Sequence, residues 1–278
     1  MRKTALLHIF ILFVGFSIAA QDQDDLLQYK ASYDFLYKTQ PEQETYEKED
    51  IMFLEIYPQA TMFHSYYAMV RDSVKQVAIK QGLSAYEIVD AMRPYKKGVT
   101  DAIYTFFDQQ TRVTSQQLTK KYFYEEELTM PQWQIDGQNQ REVEGYTCME
   151  AKASYLGREW TVYFTPEIPF NYGPWKLWGL PGLIVEATDA DEFFVFRLTG
   201  FEKASDEKRI NYPYKDEKFA KIGKRELSNL EKLFYKDFIE FQRLTMPGLS
   251  VQMSKEQNER YQQLKMRGGI PFIPLEPW

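Results

Sequence analysis

Alternating apolar and polar side chains give the first structural signal. Tyr29, Ala31, Tyr33, Phe35 and Tyr37 share one parity, and Lys30, Ser32, Asp34 and Lys38 fall outside it. That period of two belongs to a half-buried strand. Residues 51–57 read as a second strand, apolar on both faces, and 103–107 and 120–128 as further strands. Trp160, Val162 and Phe164 alternate with Thr161, Tyr163 and Thr165, and Gly157 marks a turn after a strand over 146–155. Strands over 183–188 and 193–199 flank Asp189-Ala190-Asp191-Glu192, which reads as a polar hairpin connection. The short gaps predict antiparallel neighbours, because a parallel crossover takes a dozen or more residues.

Helical periodicity appears in two regions. Ser73 with Gln76, and Ser84 with Glu87, match the capping box, in which each side chain satisfies a free amide at a helix start. Gly82 is placed to close the first helix and Pro94 to stop the second, with Leu83 and Ile88 as its hydrophobic staple. Leu227, Leu230, Phe234, Phe238 and Phe241 keep one face of a long C-terminal helix. That Phe-rich face is the expected cover for an aromatic sheet. Ser254 and Gln257 start a polar helix ended by Gly268-Gly269, and two Pro hold 270–276 extended.

The N-terminus carries a different pattern. Met1-Arg2-Lys3 precedes an apolar run over 5–16, broken only by His8 and Gly15, and then Ser17-Ile18-Ala19-Ala20. The run is too short to span a bilayer and a polar Gln21-Asp22-Gln23-Asp24-Asp25 follows, the three-part form of a cleaved secretory signal. The expectation is a signal peptide over 1–20 and a single β-rich domain over 21–278. No Cys sits at the cleavage region, so a lipoprotein is not expected. No later segment reaches spanning length, which places the mature chain in the periplasm, on the outer membrane or outside the cell.

The composition, 44% hydrophobic and 27% charged, is that of a globular chain, and 20 Tyr, 20 Phe and 5 Trp fall largely in the alternating runs. The net charge is −6, and losing Arg2 and Lys3 leaves 32 basic against 40 acidic residues. This argues against a nucleic-acid partner. One Cys and two His exclude a disulfide framework within the chain and leave little for a metal site. No cofactor motif occurs: P-loop, dinucleotide fingerprint, HExxH and CxxC are all missing.

The densest segment is 166–184, with four Pro, three Gly and two Trp. Gly permits positive φ and Pro fixes φ near −65°, so Gly173, Pro174, Gly179, Leu180, Pro181, Gly182, Leu183 and Ile184 encode one backbone path. Either the segment is a rigid buried connector, or it frames a groove with Trp175 and Trp178 as ligand or partner contacts. Gly179-Leu180-Pro181-Gly182 matches a GxxG nucleic-acid loop in form only, given its apolar filling and the acidic charge.

Cys148 and His64 are the sole Cys and His beyond the leader. They are candidates for a thiol nucleophile and its base, or else a buried strand Cys and a satisfied His. Ser-His-Asp chemistry has only His64 to use, and no Gly-x-Ser-x-Gly elbow is present. Carboxylates are plentiful but carry no spacing signature for glycoside hydrolysis. Asp189-x-Asp191-Glu192 lacks the Gly and distal Glu of a calcium loop.

The hexapeptide Gly179 to Ile184 spells GLPGLI, and its surroundings resemble the GLPGLI family of exported bacterial proteins. The resemblance covers mainly 122–189 and rests on Trp133, Ile135, Gly145-Tyr146, Cys148 with Ala151, Arg158, the 164–169 strand end, Gly173-Pro174-Trp175 and the hexapeptide. Pro274-Leu275-Glu276 resembles the family's Pro-hydrophobic-Glu ending; Glu150 and Ile273 stand where Lys and Asn are usual. The resemblance implies a signal-bearing, β-rich protein associated with outer-membrane uptake, and transfers no catalytic residue.

Together these readings predict a mainly β (α+β) fold, a curved antiparallel sheet or partial barrel covered by several helices. The expected role is a non-catalytic binding or accessory protein of the envelope. Its partner would be an envelope protein or a small apolar or carbohydrate ligand. The alternatives are an extracytoplasmic hydrolase, using Cys148 and His64 or a carboxylate pair, and a structural envelope component.

Overall fold

The computed structural model describes residues 26–277 except 47, 206, 211, 216–217 and 249–251. The expected leader over 1–20 and the start at Gln21 lie outside the described residues. Twelve strands form one open, curved sheet in the order β12-β6-β5-β4-β3-β2-β1-β11-β10-β9-β8-β7. Two meanders build it. The first is β1 (Tyr29–Tyr37), β2 (Lys48–Ile56), β3 (Ala60–Ser65), β4 (Ala102–Phe106), β5 (Thr111–Gln117) and β6 (Lys121–Glu127). The second is β7 (Gln134–Val143), β8 (Tyr146–Tyr155), β9 (Arg158–Thr165), β10 (Leu183–Asp189) and β11 (Phe194–Lys203). They join where β1 pairs antiparallel with β11.

Every named pairing is antiparallel except that of β12 (Phe219–Lys221), a three-residue strand lying parallel on β6. Both edges are poor templates for another chain. β12 is short, and β7 is exposed, polar and carries a register shift between Asp136 and Gln140.

The expected parity holds in β1, where Ala31, Tyr33 and Phe35 are buried on one face. They join Met52 and Leu54 of β2, Phe63 of β3, Ile103 of β4, and Ala151, Val162 and Phe196 of the second meander in the main core. β4 and β8 share this core although six strands stand between them in the sheet order: the sheet curls. Arg112 of β5 donates to the Tyr155 hydroxyl of β8 at 3.1 Å across the enclosed space. Filling that space are Ile168, Trp175, Leu177 and Leu180. The Gly/Pro-rich segment, rather than the C-terminal helix, therefore closes the main core.

Five α-helices and a 3-10 turn (Pro213–Lys215) complete the described structure: α1 (Tyr66–Lys80), α2 (Ala85–Met92), α3 (Lys224–Lys236), α4 (Phe238–Thr245) and α5 (Lys255–Met266). The capping boxes at Ser84 and Ser254 are formed as expected. That at Ser73 is not. α1 begins eight residues earlier, because Ser65 accepts the Ala68 amide at 3.0 Å, and Ser73 Oγ donates inside the helix to Met69 O. The long C-terminal helix is broken at Asp237, whose carboxylate accepts the Glu240 amide and caps a new helix. α3 covers only the β6 end, through Leu227 against Tyr122 and Tyr124.

Candidate functional site

The β2–β3 register pairs Glu55 with Met62 and Phe53 with His64, and β4 adds Tyr104 opposite Met62 and Ala102 opposite His64. These side chains project from the face opposite Leu54, Phe63 and Ile103. α1, starting directly after β3, crosses that face, and the two enclose a cavity of about 600 Å³. Its wall includes Glu55, Tyr57, Met62, His64, Tyr104 and Lys208.

Glu55 is the electrostatic centre of the cavity and only 1% exposed. The Tyr57 hydroxyl donates to Oε2 at 2.7 Å, and the Lys208 ammonium contacts Oε1. His64 Nε2 lies 3.2 Å from Oε1, close enough for charge attraction but outside hydrogen-bond alignment. Burial works against the carboxylate, yet His64, Lys208 and Tyr57 outweigh it and bring its pKa down to about 2. Glu55 is therefore an anion at any ordinary pH. Burial, followed by the Glu55 charge, raises the Tyr57 hydroxyl in turn. Tyr104, wholly buried, is raised by burial and by Tyr214 and Glu55, and its hydroxyl has no hydrogen-bond partner among the described residues. An orphaned buried hydroxyl is costly unless something in the cavity satisfies it.

Beside this cavity, Asp50 accepts from Ser65 Oγ at 2.9 Å and from the Val99 amide at 2.7 Å. These bonds fix the entry of α1.

A second polar cluster sits at the mouth of the curled sheet. Lys176, 2% exposed, donates to Glu126 at 2.5 Å, Glu276 at 2.8 Å and the Tyr124 hydroxyl at 3.0 Å. Lys224 contacts both carboxylates as well. Arg158 pairs with Asp189 at 2.8 Å and donates to the Leu275 and Pro274 carbonyls. Asp189 also accepts the Phe194 amide, so the predicted polar hairpin is an anchored turn.

The sequence candidates are dispersed. Cys148 is fully buried on β8, its thiol donates to Tyr146 O at 3.3 Å, and burial pushes its pKa up to about 11. His64 is on β3. His64 lines the cavity on the face opposite Phe63, whereas Cys148 belongs to the main core on the other face, so the fold does not bring them together.

Trp175 is 7% exposed and packs on Trp160 and Tyr155 inside the core. Trp178 is half-buried against Phe107, with its indole N–H donating to Thr129 O. In the motif, Gly173 lies where a Cβ would come within 2.8 Å of Ile184, and Gly182 where it would come within 2.1 Å of Thr165 O. Pro174 O accepts the Leu177 amide and the Gly179 amide donates to Asn171 O. Leu180, Leu183 and Ile184 are buried, while Pro181 is exposed.

Glu55, Tyr104, Lys176 and Arg112 were not visible as site residues in the sequence. The one available signal was Glu55, the sole carboxylate within the apolar run 51–57.

A family model described as a protein of unknown function (Porph_ging) matches residues 157–186. The match runs from the Gly157-Arg158 turn through Lys176 and the hexapeptide and ends within β10, at Glu186. No curated protein matches the chain. Among solved structures, PNGF-II in P21 and C2 crystal forms is similar at 10% identity and a TM-score of 0.48, over 73% of this chain. The chain spans 32% of the length of those structures.

Proposed function

We propose that the chain is an exported, non-catalytic binding protein of the bacterial envelope, of GLPGLI type, and that its ligand is a small carbohydrate held in the cavity beneath α1. The observation that carries this reading is the buried Tyr104 hydroxyl, unpartnered beside the ionised Glu55 in a cavity of about 600 Å³. The volume is in the range of small-molecule sites. The wall combines aromatic and Met surface, on which a sugar ring packs, with polar side chains such as Asp72 and Gln117 that can take its hydroxyl groups; the Tyr104 hydroxyl and the Glu55 carboxylate lie just behind that surface and are reached when the wall shifts to admit the sugar. A non-catalytic role is supported by the separation of Cys148 from His64 and by the raised thiol pKa.

The test is isothermal titration with a panel of mono- and disaccharides, on the wild type and on Tyr104→Phe. At least one sugar binds, and Tyr104→Phe weakens it about tenfold or more while the melting temperature holds or rises. Binding by apolar compounds alone, or unchanged sugar affinity in Tyr104→Phe, defeats the proposal. Export is tested separately by N-terminal sequencing of the protein recovered outside the cytoplasm, with Gln21 as the expected first residue and Met1 as the contrary result.

A further inference from the structure

Residues 270–277 belong to no strand of the sheet. They lie in a surface groove, with residues 272–276 half-exposed, and are held by side chains from three separate elements. Arg158, at the start of β9, donates to the carbonyls of Leu275 at 2.8 Å and Pro274 at 2.5 Å. Lys176 and Lys224 take the Glu276 carboxylate. Gly157 leaves room for the Pro277 ring, which a Cβ there would meet at 3.3 Å. Ile273 and Leu275 pack on the main core. A Pro-Leu-Glu-Pro stretch is thus read at two carbonyls, one carboxylate, one apolar side chain and one ring.

Each charged reader also has an anchor on the body of the protein. Arg158 holds Asp189, Lys176 holds Glu126 and Tyr124, and Lys224 holds Glu126. The groove keeps its geometry and positive charge when the segment leaves, and such preorganisation favours binding. An extended Pro-bearing peptide loses little chain entropy on docking. Gly268 and Gly269, both at positive φ, precede the segment and turn the chain from α5 back onto α3, where the Ile270 amide donates to Tyr235 O and the Phe272 ring stacks on Tyr235.

We propose that this groove is a binding site for Pro-hydrophobic-Glu-Pro peptides, filled here in cis by residues 274–277, and that its occupant in trans is the same segment of a second copy of the chain. The groove already matches that sequence at every reader. Reciprocal exchange of the segment restores each contact in both copies and closes a two-fold dimer. The proposal is independent of the sugar-binding reading, which concerns the opposite face of the sheet.

The test uses a fluorescein-labelled peptide of residues 268–278 and the full chain carrying Glu276→Lys. In that chain Lys176 and Lys224 repel the resident segment while the groove is unaltered. Fluorescence anisotropy is expected to show saturable 1:1 binding, at least tenfold tighter than to the unaltered chain, where the cis segment competes. A peptide carrying Glu276→Gln is expected to bind at least tenfold more weakly. A cooperatively folding Glu276→Lys chain that binds no peptide, or binds both peptides alike, overturns the proposal. Where that variant does not fold, the unaltered chain provides the answer. Biotin- and fluorescein-tagged copies, unfolded together and refolded at high concentration, are expected to give mixed dimers that survive dilution and vanish with excess free peptide. Monomers alone, or dimers indifferent to the peptide, reject it.

Discussion

Replacing Lys176 with Met removes a buried cation from between Glu126 and Glu276 while keeping most of the volume of the side-chain stem. The perturbation is one of charge more than of cavity. Removing one partner of a buried ion pair costs about 3–5 kcal/mol, because the remaining charge is left uncompensated. Two features reduce that here. Lys224 touches both carboxylates, and their side chains keep 15% and 22% exposure. The expected loss is therefore about 2–3 kcal/mol, or roughly 5–10 °C in melting temperature for a chain of this length. Burial opposes the Lys176 charge, but Tyr124, Glu276 and Glu126 outweigh it and raise its pKa above the usual lysine value. The loss should thus be the same at pH 6 and pH 9. Urea denaturation of the wild type, Lys176→Met, Glu276→Gln and the double variant forms a cycle, with a Lys176–Glu276 coupling of about 1–2 kcal/mol expected. A Lys176→Met loss below about 0.5 kcal/mol, or a coupling near zero, would refute the view that this cluster is a buried, mutually dependent unit.

Three further expectations follow from the geometry. Glu55 titrates at about 2 when folded against 4.5 when free, so its stabilisation is complete above pH 4.5 and is lost as pH falls from there toward 2. Glu55→Gln should flatten that acid limb, removing about 3 kcal/mol of pH dependence, as read by urea unfolding at a series of pH values. Gly182→Ala should cost about 3 kcal/mol or more, since its Cβ would lie 2.1 Å from Thr165 O, while Gly145→Ala, in open space at φ +81°, should cost about 1 kcal/mol. Equal melting temperatures for the two variants would contradict this. Cys148 should resist iodoacetamide at neutral pH until denaturant is added, given its burial and a thiol pKa near 11; labelling of the native protein within minutes, followed by mass spectrometry, would contradict it.

What the sequence disclosed depended on whether a side chain's partner was local. β1 was legible because its buried residues are apolar and alternate. β5 was not, because its inward side chains include Arg112, Thr114 and Gln116; Arg112 and Gln116 are satisfied by Tyr155, Lys176 O and Glu231 from elsewhere in the chain. β7 is exposed along almost its whole length and carries no apolar face to read. The break between α3 and α4 hid behind an unbroken 3.6-residue period, since Asp237 caps a helix at a point where the apolar pattern simply continues. The candidate cavity was hidden for a similar reason. Glu55, His64 and Tyr104 converge only through strand register, and Lys208 reaches Glu55 from 153 residues away. The rigid character of 166–184 was readable from its Gly and Pro, whereas its position at the centre of the core was not.

The docked 270–277 segment also bears on the order of events during biosynthesis. Arg158 waits for a carbonyl 117 residues downstream, and Lys176 for a carboxylate 100 residues downstream. A nascent chain shorter than that leaves these two buried cations at the sheet mouth only partly neutralised, and closing so long a loop is slow. The final packing step is thereby postponed until nearly all of the sequence shown has been made.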